Sequence, residues 1–429
     1  MRRGLAVGIL LGTLLAAPAA AQQIEVTLED AIQRALQVQP AMVQARGDQR
    51  NAGAGLWATN GAFLPTLTSN GSYGRAGGTR LNPSTNQIIA LPASTSFQGN
   101  VGASLELFDG FRRSADRNSA RATNDAAEAG LVNQRFQVTL ETKQTFYNAL
   151  ATEELVRVAQ SQVLRARQQL QISVEKLHAG SATRSDSLRS TVDYGNARIA
   201  LLEAQANLAT AQANLGRQIG VDRSARAVPD SVLPPLPDTA ALRAAATEGA
   251  PQVEQADAQA RAAGSQVSVI RSQYLPSITA SIGNAYTGVV TPWTTTTGYA
   301  SGWTAGVTLR WTLFNGFIRE RAMTNANVTR DVAVARAADV RRQVSAQFTQ
   351  ELAALTTAYE KISIAHDNLA AATEDLRVQN ERYRVGAATI LDLLTSQAAL
   401  TTAETNLVQV RFDYLIARAQ VEAVLGRTL

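Results

Sequence analysis

The chain has 429 residues and a formal charge of +5, with 40 basic and 35 acidic side chains. Its hydrophobic fraction of 45% is that of a folding chain and excludes long, charged disorder. It has no cysteine, which excludes disulfides, zinc–thiolate sites, Fe–S clusters, thiol nucleophiles and a lipid-modified N-terminal Cys. The basic residues are spread along the chain and only His178 and His366 are histidines, so we expect neither a nucleic-acid partner nor a histidine metal site.

The N-terminus has the pattern of a secretory leader. Arg2 and Arg3 precede an apolar run from Leu5 to Ala17, and three alanines ending at Ala21 form a small-residue cleavage site. This pattern predicts a signal peptide over residues 1–21, because the run is too short to span a bilayer comfortably as a helix. No later stretch approaches 18 continuous apolar residues, so any membrane insertion would have to use β-strands.

The remainder of the chain contains a tandem repeat. Four short motifs recur in the same order in each half, three of them 206 positions apart. We therefore predict two structural repeats, at residues 22–237 and 238–429, joined by a proline-rich connector at Val228–Pro237. The motif pairs are Leu64–Thr68 with Leu275–Thr279, Leu107–Phe111 with Leu313–Phe317, Gly180–Asp186 with Gly386–Asp392, and Ile219–Gly220 with Leu425–Gly426.

Each half begins with a predicted helix and continues into two predicted strands. Thr27 and Asp30 form a helix-starting pattern, and Asp238 opens the second copy. Alternation of apolar and polar residues then indicates strands, separated by polar segments that predict loops. The strands are expected at about 64–75, 95–108, 275–287 and 303–314, with loops at Ala76–Ser94 and Gly288–Gly302.

Very long helices follow the second strand of each half. An Asp-Gly or Asn-Gly pair predicts a turn, after which proline is absent from Gly110 to Val228 and beyond Pro292. Strong helix formers dominate both stretches, and apolar residues recur at sevenfold intervals typical of coiled coils. The helices are expected at about 110–178, 183–220, 316–384 and 389–426, and each 69-residue helix would be about 100 Å long.

Four strands cannot close a barrel, and open strand edges are not tolerated in lipid. If the strands enter a membrane, several chains must therefore contribute to one barrel. Tryptophans and tyrosines in or beside the strands, including Trp303, Trp311 and Tyr73, suit a membrane interface. The alternative is a soluble β-domain with a few tryptophans in its core.

This layout resembles the TolC family of outer-membrane efflux proteins over essentially the whole mature chain. The marks are Thr27–Ile32, the paired Leu-Pro-x-[Leu/Ile]-Thr and Leu-Phe-[Asp/Asn]-Gly-Phe motifs, and Gly-x5-Asp at both helical turns. The resemblance implies a mainly α protein with membrane β-structure: a homotrimer in which a twelve-stranded β-barrel continues into a twelve-helix α-barrel. It also implies a passive exit duct for small molecules or proteins in tripartite efflux or type I secretion systems.

The resemblance further implies a location and partners. The duct would lie in outer-membrane lipid and extend into the periplasm, where a periplasmic adaptor protein and an inner-membrane transporter deliver the cargo. No cofactor and no enzymatic activity are implied. The missing Cys excludes the lipid-anchored variant of the family.

The two helical turns are the candidate functional site. In the family, these turns form the periplasmic tip, where the tunnel narrows and the adaptor docks. The resemblance assigns the aperture to Asp186, Asp392, Tyr383 and Arg184, and the turn with its docking surface to Gly180, Thr183, Val385, Gly386 and Thr389.

Three-fold symmetry would make each aspartate a ring of carboxylates that attracts cations. The competing interpretation is that Asp186 and Asp392 only start helices, a position that aspartate favours. The chain also departs from the family: an arginine two residues after the glycine is replaced by Ala182 and Ala388, and a second aspartate by Thr395. These departures put the family's gate network in doubt.

Three other classes of protein are weighed against the channel. A periplasmic adaptor would show one helical hairpin inside soluble β-domains, whereas this chain has two hairpins, each preceded by strands. A structural coiled-coil protein would need neither the strands nor the leader. An enzyme is not favoured, since no nucleophile–base grouping or phosphate loop emerges and His178 with Asp186 only flanks a turn.

Overall fold

The structure is a computed structural model that describes residues 24–229, 233–244, 249–290 and 298–429. The predicted leader, the centre of the connector and Trp293 lie outside the described residues. No helix in the described ranges is long and apolar enough to cross a membrane.

The first half has two short helices, two long strands and two long helices in chain order. Its elements are β1 (Ile24–Val26), α1 (Leu28–Val38), α2 (Pro40–Gly61), β2 (Thr66–Asn82), β3 (Gln87–Phe108), α3 (Arg112–His178) and α4 (Arg184–Gln218).

The second half has the same core order of helix, two strands and two long helices. Strand β4 (Ala225–Ala227) comes before the connector, and the elements of the second half are α5 (Thr239–Ala244), α6 (Pro251–Ser272), β5 (Ser277–Val290), β6 (Gly298–Arg310), α7 (Ile318–Arg384) and α8 (Ile390–Leu425).

The loop prediction for Ala76–Ser94 is wrong. Strands β2 and β3 continue through this segment and stay paired as far as Asn82 with Gln87. The register slips near Gly77, where an added Cβ would meet Ala93 at 3.0 Å, so glycine permits the close strand approach. Polar small residues here belong to a paired ribbon instead of a loop.

The predicted ends of the second pair of strands also need correction. Strand β5 continues to Val290 and β6 already begins at Gly298, so the segment Gly288–Gly302 is strand at both of its described ends. Strand β6 ends at Arg310 rather than near 314. The next residue is Trp311, whose indole N–H donates to the Tyr274 carbonyl oxygen at 3.2 Å.

The four long strands form one antiparallel sheet in the order β2-β3-β5-β6. Because side chains alternate, the register places Leu67, Ala103, Ile282 and Ala305 in one row on the same face. The neighbouring row on the opposite face contains Thr68, Gly102, Gly283 and Thr304. The sheet therefore has one mainly apolar face and one mainly polar face, which is rich in Ser, Thr, Asn, Gln and Gly.

Strand and helix meet at matching corners in the two halves. Gly110 and Phe111 have φ of 68° and 67°, and Gly316 and Phe317 have φ of 67° and 64°. Positive φ at the glycines agrees with the predicted turns. The phenylalanines adopt the same left-handed region, and their rings pack edge-to-face on Phe108 and Phe314 at centroid distances of 5.4 and 5.5 Å.

A buried arginine fixes the second corner. The guanidinium of Arg319 donates to the carbonyl oxygens of Gln273, Thr312 and Leu313 at 2.8–3.2 Å and lies 4.6 Å from the Tyr274 ring centroid. At the equivalent position of the first corner, 206 residues earlier, the Arg113 guanidinium donates to the Asp109 carboxylate at 3.0 Å. The corner arginines were not identified from the sequence.

The core lies around the middle of the long helices. One cluster is centred on Phe348, Leu355 and Tyr414, and a second on Phe146 and Leu215. The short parallel pair of β1 with β4, which the sequence did not predict, closes the second cluster with Val26 and Ala225. The core thus ties the start of the chain to the segment between the repeats.

Candidate functional site at the hairpin tips

Each long helical hairpin ends in the same type of turn. After α3, Gly180 adopts a φ of 71°, and the Ser181 N–H donates to the Lys176 carbonyl oxygen at 2.9 Å. After α7, Gly386 adopts a φ of 79°, and the Ala387 N–H donates to the Arg382 carbonyl oxygen at 2.8 Å. These bonds define Schellman turns, in which glycine supplies the left-handed residue.

A capping box starts the returning helix of each hairpin. The Thr183 N–H donates to the Asp186 carboxylate at 3.0 Å, and the Asp186 N–H donates to the Thr183 hydroxyl at 3.2 Å. Thr389 and Asp392 form the same pair of bonds at 2.9 and 3.2 Å. Both aspartates therefore satisfy the orphan N–H groups of a helix end.

The capping contacts also hold the Asp392 carboxylate in its charged form. The hydrogen bonds from the Thr389 backbone and hydroxyl, assisted by the nearby Arg382, lower the pKa of Asp392 below its usual value. Asp392 is exposed at the tip, so its charge is open to solvent and ions. Helix capping and a role in attracting cations are consequently compatible in the same side chain.

The second hairpin has an apolar interior close to its tip. Tyr383, Ile390, Leu393 and Leu400 are buried together between α7 and α8, with Ala388 partly buried against them. Val385, in contrast, is 71% exposed at the turn itself. The tip is therefore a firmly packed turn that presents an apolar side chain to the outside.

A lysine links the two hairpins at the tip. The Lys176 ammonium, in the last turn of α3, donates to the Tyr383 carbonyl oxygen at 2.5 Å and lies 4.0 Å from the centroid of the Tyr383 ring. It thus satisfies an acceptor at the C-terminal end of α7, where a cation is favoured. The Tyr383 hydroxyl is buried and has no hydrogen-bond partner among the described residues.

Lys176 was not identified as a site residue from the sequence. The one sequence feature that could have pointed to it is that it is a lysine in a chain whose basic residues are nearly all arginine. The chain has three lysines among its 40 basic residues, and two of them make contacts between the halves of the chain: Lys176 with Tyr383, and Lys143 with Glu422. Arg184, which was proposed for the aperture, is exposed at the start of α4. No ion pair of Arg184 occurs within the described residues.

Comparisons with known proteins agree with this architecture. The sequence model of the family described as outer membrane efflux protein matches residues 31–221 and 242–427. The chain is 25% identical over 437 residues to the outer membrane efflux protein BepC of Brucella suis, covering 98% of this chain and 89% of that protein.

Two solved structures are similar across nearly the whole fold. The outer membrane protein VceC of Vibrio cholerae gives a TM-score of 0.78 at 16% identity, covering 94% of this chain and 96% of that one. The CmeC outer membrane channel of Campylobacter jejuni gives 0.77 at 17% identity, covering 93% and 85%. The fold is that of channels in which a helical tunnel continues a β-barrel, and the alternative of a periplasmic adaptor is not supported.

The family match spans both halves and includes both hairpin tips. Proteins of this family and fold are channels rather than enzymes. The chain belongs to the outer membrane efflux protein family and is an efflux channel of the outer membrane with a periplasmic tunnel.

Proposed function

We propose that three copies of this chain assemble into one duct, in which twelve strands close a barrel and twelve long helices form the tunnel. The observation that carries this proposal is the open sheet. Among the described residues, β2 and β6 are edge strands without a partner on their outer sides, while one face of the sheet is apolar. Joining β6 of one copy to β2 of the next satisfies these edges, and three copies give twelve strands.

The height of the apolar face fits a membrane. Its rows run from Ile278 and Leu309 near the helices to Tyr73 and Phe97, ten residues farther along the strands. This is roughly 33 Å along a strand, or about 25 Å for strands tilted by about 40°, the height of the apolar band of outer-membrane barrels. Apolar side chains on this face are exposed in the single chain; Trp303, for example, is 75% exposed.

The first hairpin supports assembly in the tunnel. Leu188, Val192, Ile199 and Leu202 are spaced along α4 as on one side of a coiled coil, and each is 56–64% exposed. On α8 the large apolar residues Leu393 and Leu400 are instead buried against α7 within their own hairpin. A neighbouring copy would cover the α4 seam and remove this apolar surface from water.

The tips would receive the partners of the duct. Val385 and Leu391 are 71% and 57% exposed beside the second turn, and such apolar groups suit docking by a periplasmic adaptor that bridges to an inner-membrane transporter. The aperture would lie between the tips, with Asp186 and Asp392 as rings of charge and Lys176 holding the hairpins together. The duct itself would be passive.

The mass of the detergent-solubilised protein tests the assembly. Native mass spectrometry should give three chains, and a detergent gel should show a band that shifts to the monomer position only after heating. A monomeric mass with no heat-dependent shift would contradict the trimer.

For docking, a photo-crosslinking residue at Val385 should capture a second periplasmic polypeptide, whereas the same residue at the buried Leu352 should not.

A further inference from the structure

The polar face of the sheet has an uneven distribution of charge. From Thr66 to Ala76, from Ser94 to Asn100, and from Ser281 to Thr304 within the described residues, this face has only neutral side chains or glycine. Glu106 and Arg310 are charged residues on this face at the end next to the long helices, and Arg80 lies on it at the other end, beyond the register slip near Gly77. In the proposed barrel this face lines the lumen, so between the long helices and the register slip the lumen charge of the described strands is confined to the periplasmic end.

The two charges are not equivalent. The Glu106 carboxylate pairs with the guanidinium of Arg112, the first residue of α3, at 3.3 Å. Arg310, the last residue of β6, is exposed and has no ion pair within the described part of the chain. Glu106, Arg112 and Arg310 border one hollow of about 300 Å³, together with the buried Arg319, whose guanidinium is bonded to carbonyl oxygens and not to a carboxylate.

We propose that Arg310 is a specificity-determining residue of the duct: three Arg310 side chains form a cationic ring at the periplasmic end of the strand lumen, which favours anions and anionic cargo groups. The inference rests on the proposed trimer. A ring of like charges that lines a pore concentrates counter-ions, and the neutral lining between the ring and the register slip near Gly77 provides no competing charge. The ring would act on the transported species after it has passed the acidic tip.

Ion selectivity of the purified trimer in a planar bilayer under a KCl gradient tests the ring. Arg310→Gln should lower the chloride-to-potassium permeability ratio by about twofold or more, because the counter-ion enrichment disappears. Glu106→Gln should raise the ratio, since it releases the Arg112 charge. Arg75→Gln is the matched control: Arg75 is on the apolar face of the same sheet and should leave the ratio unchanged.

The absence of native cysteine allows a test within one folded channel. After Arg310→Cys, a cationic thiol reagent added during recording should restore the wild-type chloride-to-potassium permeability ratio, and an anionic reagent should lower the ratio further. An unchanged ratio in conducting Arg310→Gln channels, or an introduced thiol that water-soluble reagents cannot reach, would overturn the ring. A wild-type protein that forms neither trimers nor channels would instead overturn the proposed function, and the ring with it.

Discussion

At the tip, the contact of Lys176 with Tyr383 connects hairpins that belong to different halves of the chain. We expect Lys176→Met to loosen the second turn, because the substitution removes a charge-assisted hydrogen bond and a cation–π contact. Hydrogen exchange of the amides at 383–388 should become about tenfold faster or more, which corresponds to about 1.4 kcal/mol of local stability.

Lys176→Arg is the control for this experiment, since it keeps a cation over the ring and a donor for the carbonyl oxygen. It should exchange at close to the wild-type rate. Equal protection in the Met variant and the wild type would show that the contact does not stabilise the tip.

The tip aspartates can be tested for charge without loss of the helix caps. Replacing both Asp186 and Asp392 by Asn leaves an acceptor for the threonine N–H groups and removes six carboxylates from the proposed trimer. The potassium-to-chloride permeability ratio should fall by about twofold or more. If the double variant has the wild-type ratio, the aspartates serve only as caps.

The lowered pKa of Asp392 gives a direction for the effect of pH. A carboxyl group whose pKa is lower in the folded protein stabilises the fold above its unfolded pKa, near 3.8, and loses this contribution as the pH falls through the folded value. The first turn of α8 should therefore fray in acid below about pH 4. After correction for intrinsic rates, its amides should show an acid-induced loss of protection in the wild type that is absent in Asp392→Asn.

How much of the tip the sequence could predict depended on the kind of contact. Both aspartates were found because an aspartate recurs six residues after a glycine in each half, a spacing that the resembled family shares. Lys176 was not found, because its partner is a backbone carbonyl 207 residues away. A pattern of side chains in the sequence does not show which distant backbone carbonyl will accept a hydrogen bond.

At the scale of elements, the long helices were predictable and the strand ends were not. Proline-free runs rich in helix formers placed α3 and α7 within two residues of their ends in the structure. The ribbon at 76–94 was missed because its Gly, Thr and Asn residues are typical of loops, whereas pairing between neighbouring strands overrides that local preference.

Arg319 allows the stability of the corner between β6 and α7 to be tested by substitution. Arg319→Met should destabilise the strand–helix corner by about 2–4 kcal/mol, because three carbonyl oxygens lose a charged donor in a buried place. Arg112→Met, which breaks an exposed ion pair, should cost less than about 1 kcal/mol. The two variants can be compared by the temperature at which each oligomer dissociates on a detergent gel. Equal dissociation temperatures would show that Arg319 does not stabilise the corner more than Arg112 does.

For the whole molecule, the exposed seam on α4 makes a prediction about assembly. Val192→Glu places a charge on apolar surface that a neighbouring copy should cover, so the trimer should weaken and monomer should appear on native mass spectra. The control is Arg157→Glu on α3, a mostly exposed position outside the seam. A fully trimeric Val192→Glu protein would show that the seam is not an interface.

The unequal interiors of the two hairpins also imply an order of events in time. Near the tips, the second hairpin encloses Leu376, Leu393 and Leu400 by itself, whereas the first encloses mainly small and polar residues such as Ser173, Ser190 and Ala197. In a newly exported chain, the tip half of the second hairpin would therefore become stable while the chain is still alone, and the tip half of the first hairpin would become fully ordered only on meeting its neighbours. The later repeat along the chain would thus mature earlier, and the rate at which the earlier repeat matures would depend on the concentration of the protein.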